Sequence, residues 1–416
     1  MMSTAMTTRE TRSNEHRLRI AFVTETYPPE VNGVSMTVAR VVEGMRARGH
    51  RVQLVRLRQS TTDTPVHIGA YDEVLLRGLP IPRYPELKMG LPHTGALRDL
   101  WAAQRPDLVH IATEGPLGWS ALRAARRLGV PVSSDFRTNF HAYAQHYGIS
   151  LLKWPVLAYL RYFHRRTVCT MVPTESLRRE LAEQGFRDLS VVARGVDTVR
   201  FHPNHRSAEL RRQWGVGDDD MVVMCVGRLA PEKNLNDLLS AYQAMRRILP
   251  RTRLVLVGDG PARPTLQAAC PEAIFAGSRT AEDLSAHYAS ADAFLFPSLT
   301  ETFGNVTPEA MASGLPVLAY DYAAAAQLIE HGENGLLAAY GVAPDFIAQA
   351  TRLAADPQHA WRMGVAARKT TERLTWDAVI DQVEALFIQA ARGAERPACQ
   401  DLTAGGSPPL RVTPPR

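Results

Sequence analysis

The chain has 416 residues, 45% of them hydrophobic and 22% charged, with a formal net charge of +6. That length and apolar content suit two folded cores and exclude a natively disordered chain. No uninterrupted apolar run of about 18 residues occurs, and the first 17 residues are polar and Thr/Arg-rich, so neither a membrane span nor a secretory signal is expected.

The charge is unevenly placed. Residues 1–197 carry 27 Lys and Arg against 18 Asp and Glu, whereas the remainder carries 21 against 24. A basic first half suits nucleic acid, an anionic membrane surface or an acidic substrate, and charge alone does not choose among them. Only four of the 48 basic residues are lysines, namely Lys88, Lys153, Lys233 and Lys369. A lysine kept within a motif of so Arg-rich a chain is a hint of function, because a compact ammonium does what a guanidinium fork cannot. Cys169, Cys225, Cys270 and Cys399 share neither metal nor disulfide spacing, which points to a reducing, cytoplasmic compartment.

In chain order, Leu18 to Thr24 reads as a buried strand, Tyr27 to Gly33 as a loop, Ser35 to about Arg48 as an amphipathic helix and Arg51 to Leu57 as a second strand. Gly33 stands where phosphates meet a helix N-terminus in doubly wound sheets. The missing G-x-G-x-x-G spacing argues against a nicotinamide dehydrogenase. Residues 59–93 read as Pro-rich and irregular apart from a strand at Glu73 to Arg77. A helix at Thr94 to Gln104, a strand at Pro106 to Ala112, a basic helix to Leu128 and a strand at Val130 to Ser134 follow.

Strand ends rich in Glu, Arg, Asn and His sit where open α/β sheets bind ligands, so Glu114, Arg137, Asn139 and His141 are candidates for ligand contact, while His110 reads as packing. Leu151 to Arg166 is amphipathic, aromatic and basic. It suits a membrane surface, with Trp154, Tyr159 and Tyr162 at headgroup depth, or an ordinary core-facing helix. A further αβ repeat ends at Asp197, and residues 198–219 read as a linker.

The pattern then restarts with a strand at Met221 to Val226 and the connection GRLAPEKN into a helix from near Asn234. Arg228 and Lys233, five apart on that connection, can converge on one point as a fork and a point charge for phosphates. The helix dipole disfavours a cation at Lys233 unless something anionic intervenes; a solvated surface pair is the alternative. The strand Arg253 to Val257 ends in the turn Gly258-Asp259-Gly260-Pro261. The strand Ala273 to Ala276 ends in Gly277-Ser278, a seat for a nucleobase edge.

The apolar strand Ala291 to Pro297 leads into Ser298 to Gly314, where a loop and a short helix make an anion site and Gly304 lets the backbone come close. Glu301 and Glu309 flank that turn with E-x7-E spacing, and a carboxylate accepting two hydrogen bonds side by side suits a sugar diol. Taken alone, Glu309 also reads as a first-turn acid behind a Thr307 cap and Pro308 at the first helical position. Strands at Val317 to Tyr320 and Gly335 to Ala338 finish the second sheet.

Helices fill Pro344 to about Ala391, the last, from Trp376, being long enough to cross back onto the first domain. The expected fold is α/β, with two Rossmann-like doubly wound domains, 18–197 and 198–375, facing across a cleft. Helix 376–391 completes the first domain, and a disordered leader (1–17) and tail (393–416) are expected outside them.

GRLAPEKN, VGDGP and SLTETFGNVTPEAMASGLPV, in this order in a second α/β domain, resemble the retaining family-4 glycosyltransferases of the GT-B fold, and the resemblance spans about residues 18–391. It implies that Arg228 and Lys233 hold a donor pyrophosphate and that Glu309 binds the nucleotide ribose. By the same match Glu301 and the backbone of Phe303, Gly304, Asn305 and Val306 hold the donor sugar, Gly258, Gly277 and Ser278 line the nucleotide, and Gly33 approaches the phosphates from the other domain. No metal is implied.

YPPEVNGVS, TEGPLG and TNFHAYAQHYG look like the bacterial GDP-mannose-dependent α-mannosyltransferases that use lipid-linked acceptors, and nearly as much like sulfoquinovosyl- and glucosyl-transferring relatives that use UDP-sugars. Two positions depart from the family pattern. Arg137 replaces the histidine usual before Thr-Asn-Phe, and Asp321-Tyr322-Ala323-Ala324-Ala325-Ala326 replaces a Gly-Gly-x-Pro turn. The implied activity is retaining transfer of a hexosyl group, mannose from GDP-mannose, to a lipid or glycolipid hydroxyl. A UDP-sugar enzyme is the alternative. A basic nucleic-acid-binding protein is the rival of another class, and it lacks recognition motifs.

Overall fold

Near-continuous runs of Val, Ile, Leu and Ala, bounded by Gly and Pro, form strands buried on both faces, which is the condition for parallel pairing. The computed structural model describes residues 17–30, 32–81, 84–137, 153–217 and 220–393. In the first half lie β1 (Arg19–Thr24), α1 (Gly33–Ala47), β2 (Arg51–Leu57), β3 (His67–Ile68), β4 (Tyr71–Leu76), β5 (Gly78–Ile81) and β6 (Tyr84–Gly90). They are followed by α2 (Thr94–Ala103), β7 (Leu108–Ile111), α3 (Pro116–Arg127), β8 (Val132–Asp135), α4 (Lys153–His164), β9 (Cys169–Val172), α5 (Glu175–Glu183) and β10 (Leu189–Val191). The first sheet has the order β10-β9-β8-β7-β1-β2-β4-β3, parallel except at β3, with β5 and β6 as a separate hairpin.

The second half carries α6 (Ala208–Gln213), β11 (Val222–Val226), α7 (Leu235–Ile248), β12 (Arg253–Val257), α8 (Arg263–Ala269), β13 (Ile274–Gly277), α9 (Ala281–Ser290) and β14 (Ala293–Phe296). Next come α10 (Val306–Ala312), β15 (Val317–Tyr320), α11 (Ala323–Leu328), β16 (Gly335–Ala338), α12 (Ala343–Ala355), α13 (Pro357–Thr371) and α14 (Trp376–Ala391). Its sheet runs β13-β12-β11-β14-β15-β16, all parallel. The strand order reverses between β1 and β7 and between β11 and β14, and ligands of open α/β sheets bind at the carboxyl edge of such switch points.

Helix α14 packs Val379, Ile380, Val383 and Phe387 into the first sheet's core with Phe22, Val41 and Met45. Gly44 of α1 makes that approach possible, because a Cβ there would stand 2.3 Å from Ile380 Cδ1. The two chain crossings between the domains are tied by Val196 N–H donating to Leu374 C=O at 2.8 Å.

Two expectations are corrected. The stretch 59–93 contains the hairpin β5–β6, in which Pro80 is tolerated because the hairpin lies outside the main sheet. Lys88 fixes it by donating to the carbonyls of Arg58 (2.8 Å) and Gln59 (2.6 Å). Residues 198–217 are not a loose linker. They fold into a turn at Pro203–His205 and helix α6, with Phe201 and Trp214 in the second domain's core. Buried Arg211 clasps this segment, donating to Ser290 O (3.0 Å), Asp292 Oδ2 (2.9 Å), Gly217 O (2.7 Å) and Asp220 O (2.8 Å).

Candidate functional site

At the carboxyl edge of the second sheet, three adjacent strands end in glycine: Gly227 after β11, Gly258 after β12 and Gly277 in β13. Gly227 N–H donates to Val257 O and Gly258 N–H to Gly277 O, each at 2.9 Å. A Cβ on Gly258, at φ +126°, would lie 2.0 Å from Gly227 O, so this edge is necessarily bare backbone. Ser278 stands exposed just beyond it. Arg228 follows Gly227 and is exposed, its side chain making neither a hydrogen bond nor an ion pair among the described residues.

Lys233 ends a single 3₁₀ turn, Pro231–Lys233, and Asn234 then takes a left-handed conformation that starts α7. Its ammonium forms an ion pair with Glu301 Oε1, the same oxygen that accepts from Ser298 Oγ at 2.7 Å. Two motifs 68 residues apart thus meet. Gly304, at φ +90°, turns the chain over this pair, with room for a Cβ only 3.3 Å from Glu301 Cγ.

The first helical residue after that turn is Val306, so the expected cap at Thr307 is wrong: Thr307 is buried inside α10 and Asn305 is the N-cap residue. Asn305 does not cap with its side chain either. Its Oδ1 accepts from Arg194 Nη1 at 3.0 Å, so the residue that would close this helix end is engaged by the other domain. Glu309 lies one turn on. Its Oε2 accepts from Tyr288 Oη at 3.1 Å, and burial pushes its pKa up to about 7 against the opposing effects of the Tyr288 hydrogen bond and the Arg200 charge. Tyr288 is held edge-on by Phe201 and packed on Phe294.

On the facing domain, Gly33 is the first residue of α1 rather than a loop glycine, and Asn32 caps that helix by accepting from Val34 N (3.0 Å) and Ser35 N (2.8 Å). A Cβ on Gly33 would stand 3.1 Å from Arg194 Nη1 and 3.7 Å from Asn305 Nδ2. The two domains therefore touch where Gly33, Arg194 and Asn305 converge.

Arg137 at the tip of β8 is buried and donates through Nε to Asp135 Oδ2 at 2.6 Å. Burial would raise the Asp135 carboxyl, but the Arg137 guanidinium and His110, 3.3 Å away, hold it well below the usual range. His110 is packed between Phe22 and Phe387, as expected, and also serves this carboxylate. Glu114 is buried with Oε1 3.4 Å from His164 Nε2, and its carbonyl accepts from Tyr159 Oη. Glu25, after β1, accepts from Leu117 N at 2.8 Å, and burial raises its pKa to about 7 with Glu114 adding to the effect. Asn139 and His141 lie outside the described residues.

Arg194, Asp135 and Glu25 were not singled out from sequence. Arg194 left a faint signal as a charge set directly before Gly195 in an apolar stretch. Among the described residues no three His, Cys, Asp or Glu side chains are grouped to hold a metal ion, and no helix is long and apolar enough to cross a membrane.

The description Glycosyltransferase Family 4 matches residues 31–200, and Glycosyl transferases group 1 matches residues 220–356. A GDP-mannose-dependent alpha-mannosyltransferase of Mycobacterium tuberculosis is 37% identical over 387 residues, covering 90% of this chain and 97% of that protein. A sulfoquinovosyl transferase of Arabidopsis thaliana is 30% identical over 375 residues, covering 88% and 72%. Among solved structures, sucrose-phosphate synthase from Thermosynechococcus elongatus aligns with a TM-score of 0.75 at 21% identity, covering 91% of this chain and all of that one, a likeness that carries the GT-B fold alone.

Proposed function

Because this chain belongs to the family-4 glycosyltransferases, its first domain matching that family and its second the group 1 domain, we propose that it transfers mannose from GDP-mannose to a hydroxyl of a lipid or glycolipid, with retention at the anomeric carbon. The observation that carries this reading is the constellation at the second sheet's carboxyl edge. Lys233 and Glu301 are paired beneath the Gly304 turn, Arg228 is uncommitted beside bare glycine backbone, and Glu309 lies one turn beyond. In this reading Arg228 and Lys233 take the charge that develops on the departing diphosphate, Glu301 and the Phe303–Val306 backbone hold the sugar, and Glu309 accepts from the ribose diol.

The cations do the work that Mg²⁺ does in other sugar-nucleotide enzymes, so the transfer is metal-independent. The motifs supply no carboxylate as a nucleophile beneath the ring, and the departing phosphate oxygen takes the proton of the acceptor hydroxyl on the same face. Catalysis then rests on positioning and leaving-group electrostatics.

A second reading, a UDP-sugar-dependent sulfoquinovosyl- or glucosyl-type transferase, draws on the Arabidopsis relative. A free positive charge at Arg137 would favour it by matching a sulfonate, but that charge is already neutralised by Asp135. GDP-mannose is therefore the donor we favour. The acceptor's lipid character suits helix α4, which buries Leu160 and Phe163 and leaves Trp154 75% exposed and Tyr162 half-exposed with Arg166 over its ring. We place the protein in the cytoplasm at the inner membrane face, with nucleic acid no part of its work.

Calorimetric titration with GDP and with UDP, using Glu309→Ala as control, tests the donor assignment. A GDP preference lost in the control supports mannosyl transfer, and a UDP preference replaces it with the second reading.

A further inference from the structure

Four arginines are buried in the described structure: Arg56, Arg137, Arg194 and Arg211. Three of them meet carboxylates, namely Asp63 and Glu73, Asp135, and Asp292. Arg194 meets none. It is 5% exposed, its Nε has no hydrogen-bond partner, and its one hydrogen bond among the described residues goes to the neutral amide oxygen of Asn305. A guanidinium taken out of water is ordinarily compensated by an anion or by several acceptors, and this one is not. A residue kept only to bolt the domains together would be as fully satisfied as Arg211, which has four acceptors.

Its surroundings say what the missing acceptor is. Nη1 lies beside Gly33 at the start of α1 and beside Asn305 at the end of the Gly304 turn, with the Phe303 ring 5.8 Å from the guanidinium carbon. Of the cations gathered here, Arg137 is matched by Asp135 and Lys233 by Glu301, which leaves Arg194 and Arg228 without a carboxylate. Two unmatched cations, one contributed by each domain, suit a doubly charged diphosphate.

We propose that Arg194 is a third phosphate-binding cation of the donor site, supplied by the first domain and directed at the phosphate next to the sugar. This assignment rests on the nucleotide-sugar reading above. In it, the contact with Asn305 exchanges for phosphate oxygens, which makes leaving-group recognition depend on both domains being together. Burial, with the nearby Arg137 charge, lowers the Arg194 pKa to about 9, while Asp135 and Glu301 pull the other way, which is the electrostatic condition of a cation awaiting an anion.

The test is titration calorimetry of GDP and GMP against wild type, Arg194→Met and Arg194→Lys. Dissociation constants report only the folded fraction, so partial misfolding of a variant leaves the ratio readable. In wild type GDP binds more tightly than GMP. In Arg194→Met the GDP affinity falls about tenfold or more, the loss expected for a charged hydrogen bond, while GMP affinity stays within about threefold. Arg194→Lys restores part of the discrimination, because the charge returns without the fork. Unchanged GDP-to-GMP discrimination in both variants overturns the assignment and leaves the transferase reading standing. A wild-type protein that binds neither GDP nor UDP overturns the reading on which it rests.

Discussion

Replacing Lys233 by Ala separates the chemical role of the ammonium from its structural role. The ion pair with Glu301 is partly open to solvent, Lys233 being 21% exposed and Glu301 17% by side chain, so its contribution to stability is about 1 kcal/mol or less. Glu301 also keeps its hydrogen bond from Ser298 Oγ at 2.7 Å and is not left unsatisfied. The fold should survive. If the ammonium stabilises charge on the departing diphosphate, its loss removes one oxyanion contact, which lowers the rate by about 10²- to 10³-fold, equivalent to roughly 3–4 kcal/mol. Single-turnover transfer at saturating donor, run beside a thermal melt, reads the two effects apart. A rate within two- or threefold of wild type would refute the leaving-group role, whatever happens to donor affinity.

Three further outcomes follow from particular side chains. Glu309 must be ionised to accept from a diol, so with a pKa near 7 its GDP affinity should rise about tenfold between pH 6 and 8, a step that Glu309→Gln abolishes in calorimetry. The same raised pKa means that the free protein has this group's stability contribution below its unfolded pKa and loses it as pH rises through about 7; melts at pH 5 and pH 8 of wild type and Glu309→Gln should show that difference shrink in the variant. Arg211→Met takes away the charged hydrogen bonds that hold residues 198–217, while Asp292 keeps Arg206 and Val222 N–H, and should destabilise the second domain by about 1.5–3 kcal/mol in urea unfolding. Ala323 sits at φ +54°, where an L-residue is strained, so Ala323→Gly should be neutral to about 1 kcal/mol more stable, and a clear loss of stability would show that the methyl's packing outweighs the strain.

The GT-B fold was legible because its strands are buried on both faces and read as plain apolar runs; Val222–Val226 and Arg253–Val257 need no tertiary information to be recognised. Helix α6 was not, since six residues are under two turns and show no periodicity, and what orders them is Arg211 reaching acceptors up to 81 residues away. The hairpin β5–β6 was hidden by the prolines that its position outside the main sheet tolerates. Lys233 and Glu301 each stood out in a motif, but no local pattern announces that the two side chains pair. The cap was misjudged for a related reason: Pro308 suggests a helix that starts just after Thr307, yet the helix starts at Val306 behind Asn305, whose side chain is engaged by Arg194 of the other domain. Arg194 itself has no motif. Its importance lies in the carboxylate it does not have, and only a structure shows that.

The most direct test of the central claim is transfer itself: purified protein with labelled GDP-mannose or UDP-glucose, a bacterial lipid extract as acceptor, and label counted in the organic phase with and without EDTA. The account predicts mannose label in lipid from GDP-mannose, undiminished by EDTA and slowed about 10²- to 10³-fold by Lys233→Ala. Label arriving only from UDP-glucose, or none arriving from either donor while the protein binds neither nucleotide, would contradict it.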